Sequence, residues 1–158
     1  MSSGETIEIT LTDPQAAILN SNADRNLLMM GQGGGKTNTM GNLSYLLSQN
    51  VPDVMGLIAA NTYTQLTNST LKEIFKQWAS LGFTKYTEAN PSGSYVIDRT
   101  PPKTFTPHKY IFRDNDSKIY CKNGAVIVVA SLDNYMALEG MELGWALLDE
   151  TEATKEEA

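Results

Sequence analysis

Gly31-Gln32-Gly33-Gly34-Gly35-Lys36-Thr37 stands directly after the apolar run Leu27-Leu28-Met29-Met30 and opens a segment, Lys36 to Ser48, in which Met40, Leu43, Leu46 and Leu47 recur at helical spacing. An apolar run ending in glycines reads as a strand buried on both faces, and the spacing after it as an amphipathic helix. Glycines at such a junction let successive backbone N–H groups turn inward around an anion, and the N-terminus of the helix adds its dipole. The spacing approaches G-x-x-x-x-G-K-[ST], with Met30 in the place of the first glycine. Residues 30–37 are therefore expected to form a phosphate loop, with Gly31, Gln32, Gly33, Gly34 and Gly35 lining it. Lys36 would reach the β- and γ-phosphates and Thr37 would offer its hydroxyl to magnesium.

Outward from the loop, Thr12-Asp13-Pro14-Gln15 predicts the start of a short helix, with Thr12 as cap and Pro14 in the first turn. Pro52-Asp53 breaks the chain before a second apolar strand, Val54 to Ala60, and a helix from about Thr64 presents Leu66, Leu71, Ile74, Phe75 and Trp78. Two strand–helix units in succession predict an α/β domain with a mainly parallel sheet flanked by helices. Residues 84–109 carry Pro91, Pro101, Pro102 and Pro107 among Ser, Thr and Gly, as an irregular insertion would. Residues 118–131 form a β-hairpin pattern around Asn123-Gly124, with a short helix following at Tyr135 to Leu138. Trp145-Ala146-Leu147-Leu148 reads as another buried strand, within an acidic strand at 145–150.

That last strand ends in Asp149-Glu150. Alone, an acidic pair after an apolar run fits a helix cap or a solvated pair equally well. Beside a phosphate loop it has a specific use: Asp149 as magnesium ligand and Glu150 as the group that orients or deprotonates an attacking water.

Composition bounds the alternatives. The 158 residues suit one domain, and 41% hydrophobic residues suffice for a core. One cysteine, Cys121, excludes an internal disulfide framework and reads as a small hydrophobe. No run nears the roughly 18 apolar residues of a membrane span, and the N-terminus has no signal-peptide core, so a cytosolic chain is expected. Residues 139–158 hold seven acids against one base, so the whole formal charge of −6 resides there. Between Arg99 and Lys122, bases alternate with Phe105, Tyr110, Phe112 and Tyr120, which fits either a DNA-facing surface or a solvated hairpin with one buried aromatic face. His108 lacks companions for a metal; Trp78, Met136 and Met141 read as packing residues.

Several segments together resemble the large terminase subunits of tailed bacteriophages, whose ATPase region drives DNA into a procapsid. They are the glycine loop with Lys36-Thr37, Ala59-Ala60-Asn61-Thr62-Tyr63-Thr64-Gln65-Leu66, the hairpin strand Lys122 to Ser131, and Leu138 to Glu150. The resemblance runs over residues 12–152. It implies a P-loop NTPase of the type that carries a catalytic glutamate and an additional strand, using ATP and Mg2+. Lys36 and Glu150 would be catalytic, and Thr37 with Asp149 would hold the metal. Within an adenine-side element at about 12–20, Gln15 would read the base, although an exposed helical glutamine fits the same position. Implied partners are double-stranded DNA, a portal protein, a small terminase subunit and other copies in a ring, in the cytoplasm of an infected host cell. Where many members have an arginine in the phosphate loop, this chain has Gln32. The chain also stops before the strand expected between the loop strand and the acidic strand, which predicts a fragment or half of a split protein. A helicase-like ATPase and a nucleotide-binding assembly module without turnover are the competing expectations.

Overall fold

The computed structural model describes residues 8–26, 35–109 and 116–149. The apolar run 27–30, Gly31 to Gly34, residues 110–115 with Arg113, and the tail from Glu150 lie outside the described residues. Along the chain run α1 (Asp13–Leu19), α2 (Lys36–Asn50), β1 (Met55–Ala60), a short α3 (Tyr63–Gln65), a π-helical turn (Leu66–Thr70) and α4 (Leu71–Ser80). Then come β2 (Tyr95–Ile97), β3 (Lys118–Cys121), β4 (Val126–Ser131), a 3-10 helix (Leu132–Leu138) and β5 (Trp145–Asp149).

The five strands form one sheet in the order β2-β3-β4-β1-β5. β1 pairs in parallel with both β4 and β5, whereas β2-β3 and β3-β4 are antiparallel. Among the described residues the protein is thus α/β with a mixed sheet, less parallel than the strand–helix alternation predicts. The hairpin causes the difference: it folds back beside β4 and brings a further antiparallel strand with it. Every residue of β1 is buried, as a strand flanked on both sides and covered on both faces requires.

One face of the sheet carries Ile58, Ala60, Ile119, Cys121, Ile127 and Val129 against Leu66, Leu71, Ile74 and Trp78 of the helical segment after β1. Here the apolar positions expected of the helix are confirmed, and only its continuity is broken by the π turn. The opposite face packs Leu57, Ala59, Val96, Tyr120, Val126 and Val128 under Phe105, with Tyr86, Leu132, Leu138, Met141 and Leu143 along its margin. Loops and the 3-10 helix cover this face, so the helical layer is one-sided among the described elements.

The segment 84–109 is less irregular than its prolines suggest. It supplies β2, and Tyr95 stacks on Phe75 and Phe83, with ring centroids 5.5 and 5.4 Å apart, while Trp78 meets both Phe83 and Tyr95 edge-on at 5.1 Å. Such pairs add to the area they bury, so the aromatic cluster explains why a proline-rich stretch holds an edge strand. Burial, and then the neighbouring Cys121, push the Tyr95 phenol up to about 12; burial alone pushes the Cys121 thiol up to about 12.

The hairpin forms as its Asn-Gly pair predicts, but only Gly124 takes positive φ, at 95°. Asn123 uses its side chain instead, accepting from the Ala125 N–H at 3.1 Å and donating to the Ser48 carbonyl at 2.9 Å. Phe105 and Tyr120 are buried in the core, which favours the solvated-hairpin reading of this region over a DNA-facing one. Lys118 is paired with Asp116 at 3.2 Å, and Tyr120 donates to the same carboxylate oxygen. His108 lies edge-on to Tyr120 and places Nε2 2.8 Å from the Cys121 carbonyl.

Three further expectations change. In α2 the buried residues are Thr39, Met40, Gly41, Asn42, Ser44 and Ser48, while Leu43, Leu46 and Leu47 are half-buried. In β5, Ala146 and Leu148 are exposed, Leu148 by 49%, because they lie on the face of Leu57 and Ala59, and the cluster that covers that face does not reach them. Met136 is 68% exposed and does not pack, whereas Met141 does. Among the described residues no helix is long and apolar enough to cross a membrane.

Gly56 faces Trp145 in the β1–β5 register, and the indole lies where a Cβ would stand. Gly56→Ala should therefore lower stability by about 1–3 kcal/mol through overpacking, read as a lower urea midpoint at unchanged slope. Burial lowers the His108 pKa from its ordinary 6.5, more than the Cys121 carbonyl raises it. The unfolded chain then takes up the proton first as pH falls, so stability from neutral His108 is complete above the ordinary value and lost below it. Urea midpoints of wild type and His108→Gln should converge between about pH 7.5 and 5.5, wild type losing more.

Candidate functional site at the carboxyl edge of the parallel strands

Asp149 is the last residue of β5 and sits opposite Ala60, the last of β1, which in turn sits opposite Ser131, the last of β4. Three parallel strands thus end on one line. The chain leaving β1 and the chain leaving β4 are tied there, Asp133 N–H donating to the Asn61 carbonyl at 3.2 Å. Tyr63 and Tyr135, one on each of these exits, are largely exposed.

Asp149 itself is only 7% exposed. A buried carboxylate needs a hydrogen-bond donor, and Thr70 supplies one: its Oγ1 donates to Asp149 Oδ2 at 2.7 Å. Thr70 is fully buried at the end of the π-helical turn, 79 positions away in sequence. The sequence carries no signal for this partner, since a threonine within a helical stretch is ordinary and the π turn that aims it leaves no compositional trace.

Lys36 and Thr37 occupy the first turn of α2, and the geometry of the helix shows which end of the sheet they approach. At the far end of α2, the Ser48 carbonyl accepts from Asn123 in the hairpin turn that leads into β4, at the amino edge of the parallel strands. The helix has 15 residues, about 22 Å at 1.5 Å per residue, close to the roughly 20 Å length of a six-residue strand. α2 therefore runs opposite to the parallel strands, and its start points toward their carboxyl edge.

Its placement is fixed by α4, which runs alongside in the same direction. The Trp78 indole N–H lies 3.0 Å from both the Gly41 carbonyl and Ser44 Oγ. Asn38 donates to Gln77 at 2.6 Å, Gln77 donates to Asn42 at 2.8 Å, and Asn42 donates to Asn38 at 3.4 Å, closing a ring of three amides. Gly41 is required here, because a Cβ would come within 2.7 Å of the Gln77 side chain.

Gly35 caps α2 in the left-handed region, at φ +80°. Gln15 reaches it from α1: Nε2 donates to the Gly35 carbonyl at 3.2 Å and Oε1 accepts from the Thr12 N–H at 3.0 Å. With 5% exposure, Gln15 is not the exposed helical glutamine that the sequence also allowed. It braces the end of the glycine segment.

Of the sequence candidates, Gln15, Gly35, Lys36, Thr37 and Asp149 are described, Gln15 joined to Gly35 and Asp149 to Thr70. Gly31, Gln32, Gly33, Gly34 and Glu150 lie outside the described residues. Among the described residues no three His, Cys, Asp or Glu gather as a metal cluster.

Comparison with protein-family models, curated proteins and solved structures finds no match to the chain.

Gln15→Ala removes both the brace on Gly35 and the acceptor for Thr12. The expected loss is about 1–3 kcal/mol for the polar groups left without partners, measured as a shift of the urea midpoint.

Proposed function

We propose that the chain is the ATP-binding and ATP-hydrolysing region of a P-loop ATPase, of the kind that powers DNA packaging in the large terminase subunits it resembles. The observation that carries this reading is the convergence on one edge of the sheet. A glycine-led helix start bearing Lys36 and Thr37 faces the edge at which a buried aspartate, Asp149, closes a parallel strand. Open α/β sheets bind ligands outside the carboxyl ends of their strands, and nucleotide phosphates favour a helix start where N–H groups lack partners. α2 strengthens that preference, for Lys36 is its only charged residue and no acid in its first turn offsets the dipole.

The donor set suits Mg2+, a hard cation that takes oxygen ligands and keeps several waters. Thr37 would offer a hydroxyl and Asp149 a carboxylate, with phosphate oxygens and water completing the shell. When bound, the ion neutralises charge developing on the phosphates. Lys36 would hold the β- and γ-phosphates, Gly31 to Gly35 would line the loop, and Glu150 would hold the attacking water or take its proton. Gln15, hydrogen-bonded to Gly35, would contact the adenine edge in this reading. Double-stranded DNA, a portal protein, a small terminase subunit and further copies in a ring are the partners of this reading, and the cytoplasm of an infected cell is its setting.

Among the described residues β5 pairs with β1 alone, which favours a second reading, an assembly module that binds nucleotide and turns over only when another strand covers that edge.

Calorimetry with Mg-ATP on the chain and on Lys36→Ala tests the proposal. Wild type should bind and the variant should not. In a thermal-unfolding comparison, ligand at 100 times its dissociation constant should add about 2.7 kcal/mol to wild type alone. A folded wild type that ignores Mg-ATP would defeat the ATPase reading; binding without hydrolysis would favour the assembly module.

A further inference from the structure

We infer that Thr70 is a positioning residue for the metal-binding carboxylate, setting the affinity of the site for Mg2+ through its hydrogen bond to Asp149; the inference rests on the ATPase reading above. The contact has three properties that a packing accident lacks. It is short, at 2.7 Å between Thr70 Oγ1 and Asp149 Oδ2. Both groups are buried, Thr70 completely, so the bond is shielded from competing water. And it joins the end of β5 to the helical segment that leaves the neighbouring strand β1, so two elements meeting at the carboxyl edge share one hydroxyl.

The π-helical turn Leu66–Thr70 makes the meeting possible. Its wider turn keeps Leu66 and Thr70 on the side that carries Ile74 and Trp78, all four of them buried against the sheet. Leu66, Ile74 and Trp78 bury hydrocarbon or ring on that line. Thr70 places a hydroxyl there instead, level with the strand end, and Asp149 accepts it.

A carboxylate held at one oxygen cannot rotate freely about its Cβ–Cγ bond. Thr70 thus engages Oδ2, would leave Oδ1 for the ion, and would keep the charge oriented before an ion arrives. Groups that orient a ligand from behind in this way are worth a measurable share of metal affinity. Nothing is transferred or consumed at Thr70; it touches neither nucleotide nor ion.

The test compares wild type, Thr70→Val and Thr70→Ser, titrating Mg2+ at fixed ATP and reading the nucleotide-dependent rise in melting temperature rather than turnover. Thr70→Val keeps the shape and removes the donor, so the Mg2+ concentration for half-maximal stabilisation should rise about tenfold or more. Thr70→Ser keeps the donor and should stay within about threefold of wild type. ATP binding measured in EDTA should be alike in all three. Should Thr70→Val fail to fold, Thr70→Cys takes its place, with a weaker donor of similar size and an intermediate shift expected. An unchanged Mg2+ requirement in the folded Val or Cys chain, or a serine chain as impaired as valine, overturns the inference. A wild type without any Mg-ATP response overturns instead the ATPase reading beneath it.

Discussion

The indole N–H of Trp78, directed into α2 at Gly41 and Ser44, is the contact on which the arrangement of this protein turns. It requires a glycine, because any side chain at position 41 would collide with Gln77 and push the helices apart. It also gives Ser44 on the buried face of α2 a use, since an indole N–H buried without an acceptor costs about 1–3 kcal/mol. The amide ring of Asn38, Gln77 and Asn42 continues the same logic one turn earlier. With α2 locked to α4, and α4 seated on the sheet through Ile74 and Trp78, the helix start can face only one edge. The direction of Lys36 and Thr37 thus follows from a tryptophan in another helix, Trp78 of α4.

The two edges of the sheet have different work. At the amino edge the hairpin turn, the Asn123 bond to Ser48 and the stacked rings of Phe75, Phe83 and Tyr95 are closed contacts that serve stability. At the carboxyl edge the strands end together, tyrosines stand exposed, and the buried Asp149 accepts from the Thr70 hydroxyl. In the proposed reading this edge meets the nucleotide. A stiff base beneath an open rim is the usual division in sheets that bind ligands, where loops at the carboxyl ends carry the chemistry.

What the sequence made legible was whatever local chemistry decides. Asn123-Gly124 announced the hairpin, Thr12 and Pro14 the start of α1, and the spacing of Leu66, Leu71, Ile74 and Trp78 the buried line after β1. Long-range partners decided the rest. β2 hides among prolines because it is short and its Tyr95 is held by rings on α4 that are distant in sequence. The buried face of α2 was misread because leucines outrank asparagine and serine in any hydrophobic count, yet the hydrogen bonds of Trp78 and Gln77 repay the burial of those polar groups. Of the proposed site, Gly35, Lys36, Thr37 and Asp149 stood out in the sequence because their residue types suit phosphate and metal binding. Thr70 was not, since nothing distinguishes it from the threonines beside it until the chain folds.

Cys121 is the chain's sole thiol, wholly enclosed beneath the aromatic cluster and held protonated far above neutral pH. Reactivity resides in the thiolate, so the native state carries a cysteine that electrophiles do not see. The protein is consequently a ready background for chemical labelling. Cysteines substituted at exposed Tyr135 and Tyr63 would react while Cys121 stayed silent, and paired dyes there would report the separation of the two strand exits without any need to remove the native residue.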